Sequence, residues 1–363
     1  MSMIKQYRIP FLVIAFLSLV AGLFAGLARL GWTQVAFPAM IHHGGIMIGG
    51  FLGTLISLEK IIPLKKKWLY IIPLLSGCSI IAFFGGKPAY SFTLLLVASA
   101  GLSGVFLVYW LRERSLIYSL MFLGAISWLI GNVLMLQKNF YPLSIAWWMG
   151  FALLIISAER IELMKFLPVT RKNKYFFALL LILFVTGAAF SFHGPGSTVA
   201  GASLIACSLW LLKFDLIGIT IKKSGLQKFV AVALMTGYIS LLLTGIFLIS
   251  LSSQAFSYDI TLHTFFIGFV FSMIFAHGPI ILPGVIGSSV KPFHPVLYFW
   301  LLLLHGSWII RIAGGITLEM EWRMVSGIIS LTAILGYLVS IGFLTYRSIK
   351  LASLKPKNIK VLA

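Results

Sequence analysis

Residues 38 to 60 read PAMIHHGGIMIGGFLGTLISLEK. The stretch is long enough to cross a bilayer, which takes about 20 apolar residues. Yet it sets His42 beside His43, follows them with five glycines and carries no other charge before Glu59. Ionisable groups inside a membrane are costly unless paired and by default mark a functional site. A second stretch of the same kind, DITLHTFFIGFVFSMIFAHGPIILPG, occupies residues 259 to 284.

Both stretches belong to a chain that is apolar throughout. Of its 363 residues 60% are hydrophobic and only 10% are charged, and the mean hydropathy is +1.05; soluble domains carry about 25% charge. Apolar runs fall at 9–30, 38–58, 68–85, 90–111, 115–136, 143–159, 175–192, 197–217, 229–251, 260–282, 295–313 and 324–346. The expectation is an all-α membrane protein of about twelve transmembrane helices, a single polytopic domain over 1–363. The net charge of +20 would suggest nucleic acid in a soluble chain, but here the bases sit in short loops between the apolar runs. With the N-terminus inside, all but five of the 28 Lys and Arg fall on the cytoplasmic side, the exceptions being Arg29, Lys87, Lys138, Arg311 and Arg323. The positive-inside rule then makes both termini cytoplasmic, in a bacterial inner membrane. The first run has no small-residue cleavage site and reads as a retained helix, not a signal peptide. Cys78 and Cys207 lie in different runs and form no CxxC motif, so both are expected to be free thiols.

Twelve helices divide into two sixes or three fours. The second helices of three successive quartets (9–111, 115–217 and 229–346) look alike: IHHGGIMIGGFLGTLISLEK, LSIAWWMGFALLIISAER and LHTFFIGFVFSMIFAHGP. The first two end in an acid followed by a base, Glu59-Lys60 and Glu159-Arg160. This favours a pseudo-threefold arrangement.

Helices 2 and 10 run in the same direction, which puts His42, His43 and His263 in the outer third. His277 lies 14 residues past His263, about 21 Å down the axis and about 40° off the same face. His305 comes near mid-membrane on helix 11 and Arg311 at its outer end. His193 falls in an external turn and His294 at the inner start of helix 11. Neighbours on a helix diverge by about 100°, so only one of His42 and His43 can face a common centre. Gly45, Gly49 and Gly53 form a stripe on nearly the same face as His42. That stripe either packs closely on another helix or leaves room for a large flat cofactor.

Two imidazoles from separate helices suit a six-coordinate haem. A zinc or copper site would need three or four converging ligands, and the outer layer offers two or three. A proton relay could use His277, His305, Glu59 and Glu159 without any metal.

The helix order, with histidines on helices 2 and 10, resembles the catalytic subunit of the haem–copper oxidases. The resemblance is closer to the NnrS family of haem- and copper-containing membrane proteins associated with nitric-oxide tolerance. His43-Gly44-Gly45-Ile46-Met47 followed by Gly50-Phe51 is similar to that family's His-Ala-His-Glu-Met with a Gly-Phe after it, and Leu262-His263 with Gly268-Phe269 is similar to its later motif. The resemblance implies a b-type haem near the outer face with His43 and His263 as axial ligands and Arg311 holding propionates; His42 is the alternative neighbour. Gly45 and Ile46 stand where the family has a His and a Glu, which leaves a copper site short of ligands. Helix 6 has no His and helix 7 lacks the copper-holding pair, so conventional oxygen reduction is not expected. His277 and His305 could serve a second haem or metal. The function expected is nitric-oxide or other diatomic-gas handling, or electron transfer, with electrons from a quinone or a separate donor protein and with membrane lipid around the whole. A proton-coupled transporter and a cofactor-free sensor or assembly subunit are the competing readings. No nucleic-acid role is expected.

Overall fold

A computed structural model describes residues 6–33, 36–190, 192, 194–251 and 254–354; His193 and the end of the basic tail lie outside the described residues. Twelve helices long and apolar enough to span a membrane account for almost all of it, and no strand occurs among the described residues. They are α1 (Ile9–Arg29), α2 (Pro38–Leu64), α3 (Lys67–Phe84), α4 (Pro88–Arg112), α5 (Leu116–Lys138), α6 (Tyr141–Phe166), α7 (Arg171–Ala189), α8 (Pro195–Phe214), α9 (Gly225–Ser250), α10 (Ser257–Val285), α11 (Val296–Ile316) and α12 (Met320–Ala352). Several run past the apolar segments because polar residues at their ends continue the helix.

Local chemistry sets the ends. Proline occupies the first turn of α1, α2, α4, α6 and α8, where its missing N–H costs nothing. The Ser115 and Thr170 hydroxyls accept the Tyr118 and Asn173 amides to start α5 and α7. Pro279 inside α10 cannot donate to the carbonyl of Phe275. The Tyr337 hydroxyl of α12 donates to that carbonyl instead.

Each helix packs on the next, and α1 also touches α12, so the first and last spans meet. In a membrane the hydrophobic effect does little between helices and close fit does most. At the α8–α9 crossing, Gly201 and Gly245 each bring the other's carbonyl to where a Cβ would clash, at 2.6 and 2.5 Å. The most buried helices are α6, α2 and α10, with 72%, 67% and 56% of their apolar windows inside the protein against 50% or less for every other span. These three are spaced four apart in the chain and form its interior.

Two of the three are wound unusually. Ile46–Gly53 of α2 and Thr264–Val270 of α10 are π-helical, a form that is rare and found mostly at functional sites. Each begins within three residues of a histidine, His43 or His263. Across the interface Phe51 and Phe271 stack, 6.2 Å between ring centroids.

Candidate functional site

The chain enters α2 through a 3₁₀ turn, Pro38–His42, before the α-helical turn at His43. This entry sends the adjacent imidazoles in different directions. His42 is 5% exposed and packs on Phe83, Phe92 and Tyr141 at centroid distances of 5.3, 6.0 and 6.0 Å. Its Nδ1 lies 3.0 Å from the Tyr141 hydroxyl of α6. His43 turns toward α1 and α10. Its Nδ1 is 3.3 Å from Arg29 Nη1, and it lies in the electrostatic field of His263, Arg311 and Asp259.

On α10, His263 Nδ1 is 2.8 Å from the Asp259 carbonyl and 3.1 Å from its carboxylate. Both are acceptors, so Nδ1 carries a hydrogen, and in the neutral ring Nε2 is the nitrogen with the lone pair. Histidines that ligate metals have their other ring N–H held in this way by a carboxylate or carbonyl. Arg311 of α11 grips the same carboxylate through Nε at 3.0 Å and Nη2 at 2.7 Å, and Arg323 of α12 joins at 3.2 Å. Arg323 also lies 3.7 Å over the Phe256 ring, and its buried Nε has no partner. Two guanidiniums thus share this carboxylate, and a third, Arg29, lies beside His43.

The opposite end of the interior, where α1 begins, holds a second polar group. Lys60 of α2 donates to Glu59 at 2.8 Å and to Glu159 of α6. The next base, Arg160, donates to His277 of α10 at 3.1 Å and bidentately to Asp215 at 2.8 and 2.7 Å, whose carboxylate also accepts the Tyr238 hydroxyl. His277 Nδ1 bonds the Met273 carbonyl at 2.7 Å. His305 is elsewhere, accepting from Trp308 on Nδ1 at 2.9 Å and bonding Ser272 through Nε2 at 3.0 Å. His294 Nδ1 accepts the Val296 amide at the start of α11.

A family model described as a domain of unknown function, DUF8744, matches residues 8–345. The chain belongs to the DUF8744 family. No curated protein matches it.

In this DUF8744 protein the glycine stripe is filled. A Cβ on Gly45 would meet Phe83 and Phe92, on Gly49 Leu95 at 2.4 Å, and on Gly53 Trp128 at 2.5 Å. Of the two uses read from the sequence, close packing on α3, α4 and α5 is the one this face has. His277 and His305, read from the sequence as candidates for a second ligand pair, each have both ring nitrogens bonded to protein groups. Arg311, expected to hold an anionic ligand, is bound to Asp259. Among the described residues no three His, Cys, Asp or Glu side chains converge as ligands for a metal ion, and Cys78 and Cys207 are free thiols.

Sequence reasoning passed over Asp259, Arg29, Arg323 and Tyr141. The signal for Asp259 was present: it is one of only eight acids in the chain and stands four residues, one helical turn, before His263. Arg29 and Arg323 were visible as two of the five exceptions to the loop-charge rule.

Proposed function

We propose that this protein binds a b-type haem between α2 and α10, through His43 and His263, and works in nitric-oxide or other diatomic-gas handling or in electron transfer in the manner of NnrS-like proteins. The observation that carries the reading is His263. Its Nδ1 is engaged by Asp259, which leaves Nε2 as the nitrogen available to a ligand in the neutral ring, on a π-helical neighbour of the helix that presents His43.

The fit of such a group can be tested on charge. Arg311 and Arg323, both buried, share one carboxylate, which leaves one positive charge in excess there, and the exposed Arg29 adds a second beside His43. A ligand bearing two carboxylates would offset both, through the bidentate pairing that guanidinium favours. His43 sets a condition. Ligation through Nε2 needs the hydrogen on Nδ1, where Arg29 as a donor cannot accept it. Arg29 must therefore turn from His43 toward the ligand's carboxylates. The haem would supply an iron centre for electron transfer or gas binding; the protein's own groups hold the imidazoles, supply counter-charge and exclude water.

The wider reading puts both termini in the cytoplasm of a bacterial cell and the histidine pair toward the outer face. The burial of α2, α6 and α10 supports three quartets over 9–111, 115–217 and 229–346. A reduced-minus-oxidised spectrum of the purified protein tests the assignment. Haem b bands lost in H43A and in H263A but kept in H42A are expected. Bands absent from the wild type, or retained when both His43 and His263 are Ala, overturn it.

A further inference from the structure

The three interior helices carry a shared register. Gly50-Phe51, Gly150-Phe151 and Gly268-Phe269 each stand nine residues before an acceptor: Glu59, Glu159 and His277. The position after each acceptor is Lys60, Arg160 and Gly278. The structure uses this repeat in space. Lys60 reaches from α2 to the acceptor of α6, and Arg160 reaches from α6 to the acceptor of α10. A third base, from α10 toward Glu59 of α2, would complete the sequence. Gly278 stands there, its face closed by the Tyr337 hydroxyl 2.9 Å from where a Cβ would lie.

The missing base leaves a charge imbalance. Among the bonded groups, Glu59, Glu159 and Asp215 are acids, and only Lys60 and Arg160 are cations. One negative charge in a largely buried group is costly and calls for a counter-charge. Elimination locates it. Asp215 is fully buried, held bidentately by Arg160 and by Tyr238. His277 accepts from a guanidinium and donates to a carbonyl, so a further proton has no place on it. Glu159 has its close bond to Lys60 and lies against Arg160 and His277. Glu59 shares Lys60 through Oε1 alone, and its side chain is 30% exposed. The charged groups facing it are Lys60 from its own helix and Glu159 and Glu162 from α6. Tyr109 of α4 donates to the Lys60 carbonyl, and Tyr118 of α5 lies near Lys60.

We propose that Glu59 is a proton-exchange site: its carboxylate takes a proton from water at the α1-start end of the bundle and returns it there, filling the charge position that Gly278 leaves open. The rest of the group stays at fixed charge. The site needs no cofactor and stands or falls apart from the haem reading.

Infrared spectra of the full-length protein in nanodiscs, recorded through a pH titration, read it directly. A protonated-carboxyl component that appears reversibly as pH falls, separate from that of the exposed Glu113, Glu162, Glu319 and Glu321, and is lost in E59Q, is expected. In E159Q one acid is gone and Lys60 serves Glu59 alone, so the band should appear only at lower pH. Should E59Q not fold, E59D with isotopically labelled aspartate must move the band to the label. Persistence of that component in E59Q, its failure to follow the label in E59D, or its absence from the wild type overturns the proposal. Displacement of the band by sodium or potassium at constant pH and ionic strength also overturns it, in favour of a metal-cation site.

Discussion

Arg160 holds Asp215 with two nitrogens and His277 with a third, tying α6 at once to the end of α8 and to α10. Both members of the ion pair are at least 97% buried, at 3% and 0% side-chain exposure. Removing one partner strands the other charge in the interior, a loss of about 3–5 kcal/mol in comparable pairs. D215N should therefore lower stability in detergent by that order, and R160M/D215N should recover part of the loss. Chemical or thermal unfolding followed by circular dichroism measures both; a D215N variant as stable as the wild type would show the pair to be idle.

Tyr337 and Pro279 form a compensating pair around the Phe275 carbonyl. Y337F should cost about 1–3 kcal/mol, the penalty of leaving a buried acceptor unpaired. P279A restores an amide four residues on, so Y337F should cost much less in that background. The double-mutant cycle has to show coupling of this sign; additive effects would contradict it.

Gly53 sits 2.5 Å, by its absent Cβ, from Trp128. G53A overpacks the α2–α5 contact and should lose about 1–3 kcal/mol, with haem content per folded molecule unchanged. Lower haem content at wild-type stability would mean that the stripe borders the cofactor after all.

Asp259 neutralises Arg311 and Arg323 while orienting His263. D259N leaves two guanidiniums without an acid and should lower the unfolding temperature measurably. The double variant D259N/R311M should regain part of it. If D259N alone is neutral, the carboxylate is not the counter-charge that its geometry makes it.

How much of this was readable beforehand differs by scale. All twelve spans were legible, because twenty consecutive apolar residues have few other uses, and helices 2, 6 and 10 look alike in sequence, the first two through LEK and AER. The three most buried helices proved to be these three. The divergence of His42 and His43 was also legible, as a consequence of helical pitch. What was not legible was which way a stripe of small residues faces: Gly45, Gly49 and Gly53 look the same whether Leu95 and Trp128 fill the groove or a ligand does. The partners of His277 and His305 were not legible either, since depth says nothing about which nitrogens Arg160, Ser272 and Trp308 occupy. The Gly-Phe register shared by all three interior helices was in the sequence in plain view. Its meaning came only with the bonds from Lys60 to Glu159 and from Arg160 to His277.

The π-helical stretch of α2 has a consequence for how the helix can change over time. Each extra residue that a π turn accommodates delays the winding by about one residue's rotation, about 100° relative to an unbroken α-helix. Ile46–Gly53 therefore works as a phase shifter between His43 above it and Lys60 below. Rewinding this segment as α with no residue removed would keep every side chain, yet swing Lys60 about 100° away from Glu159, and deleting one residue would cancel that swing. The two ends of α2 are thus set independently, each aimed at its own partners, and the length of this one segment keeps both aims true together.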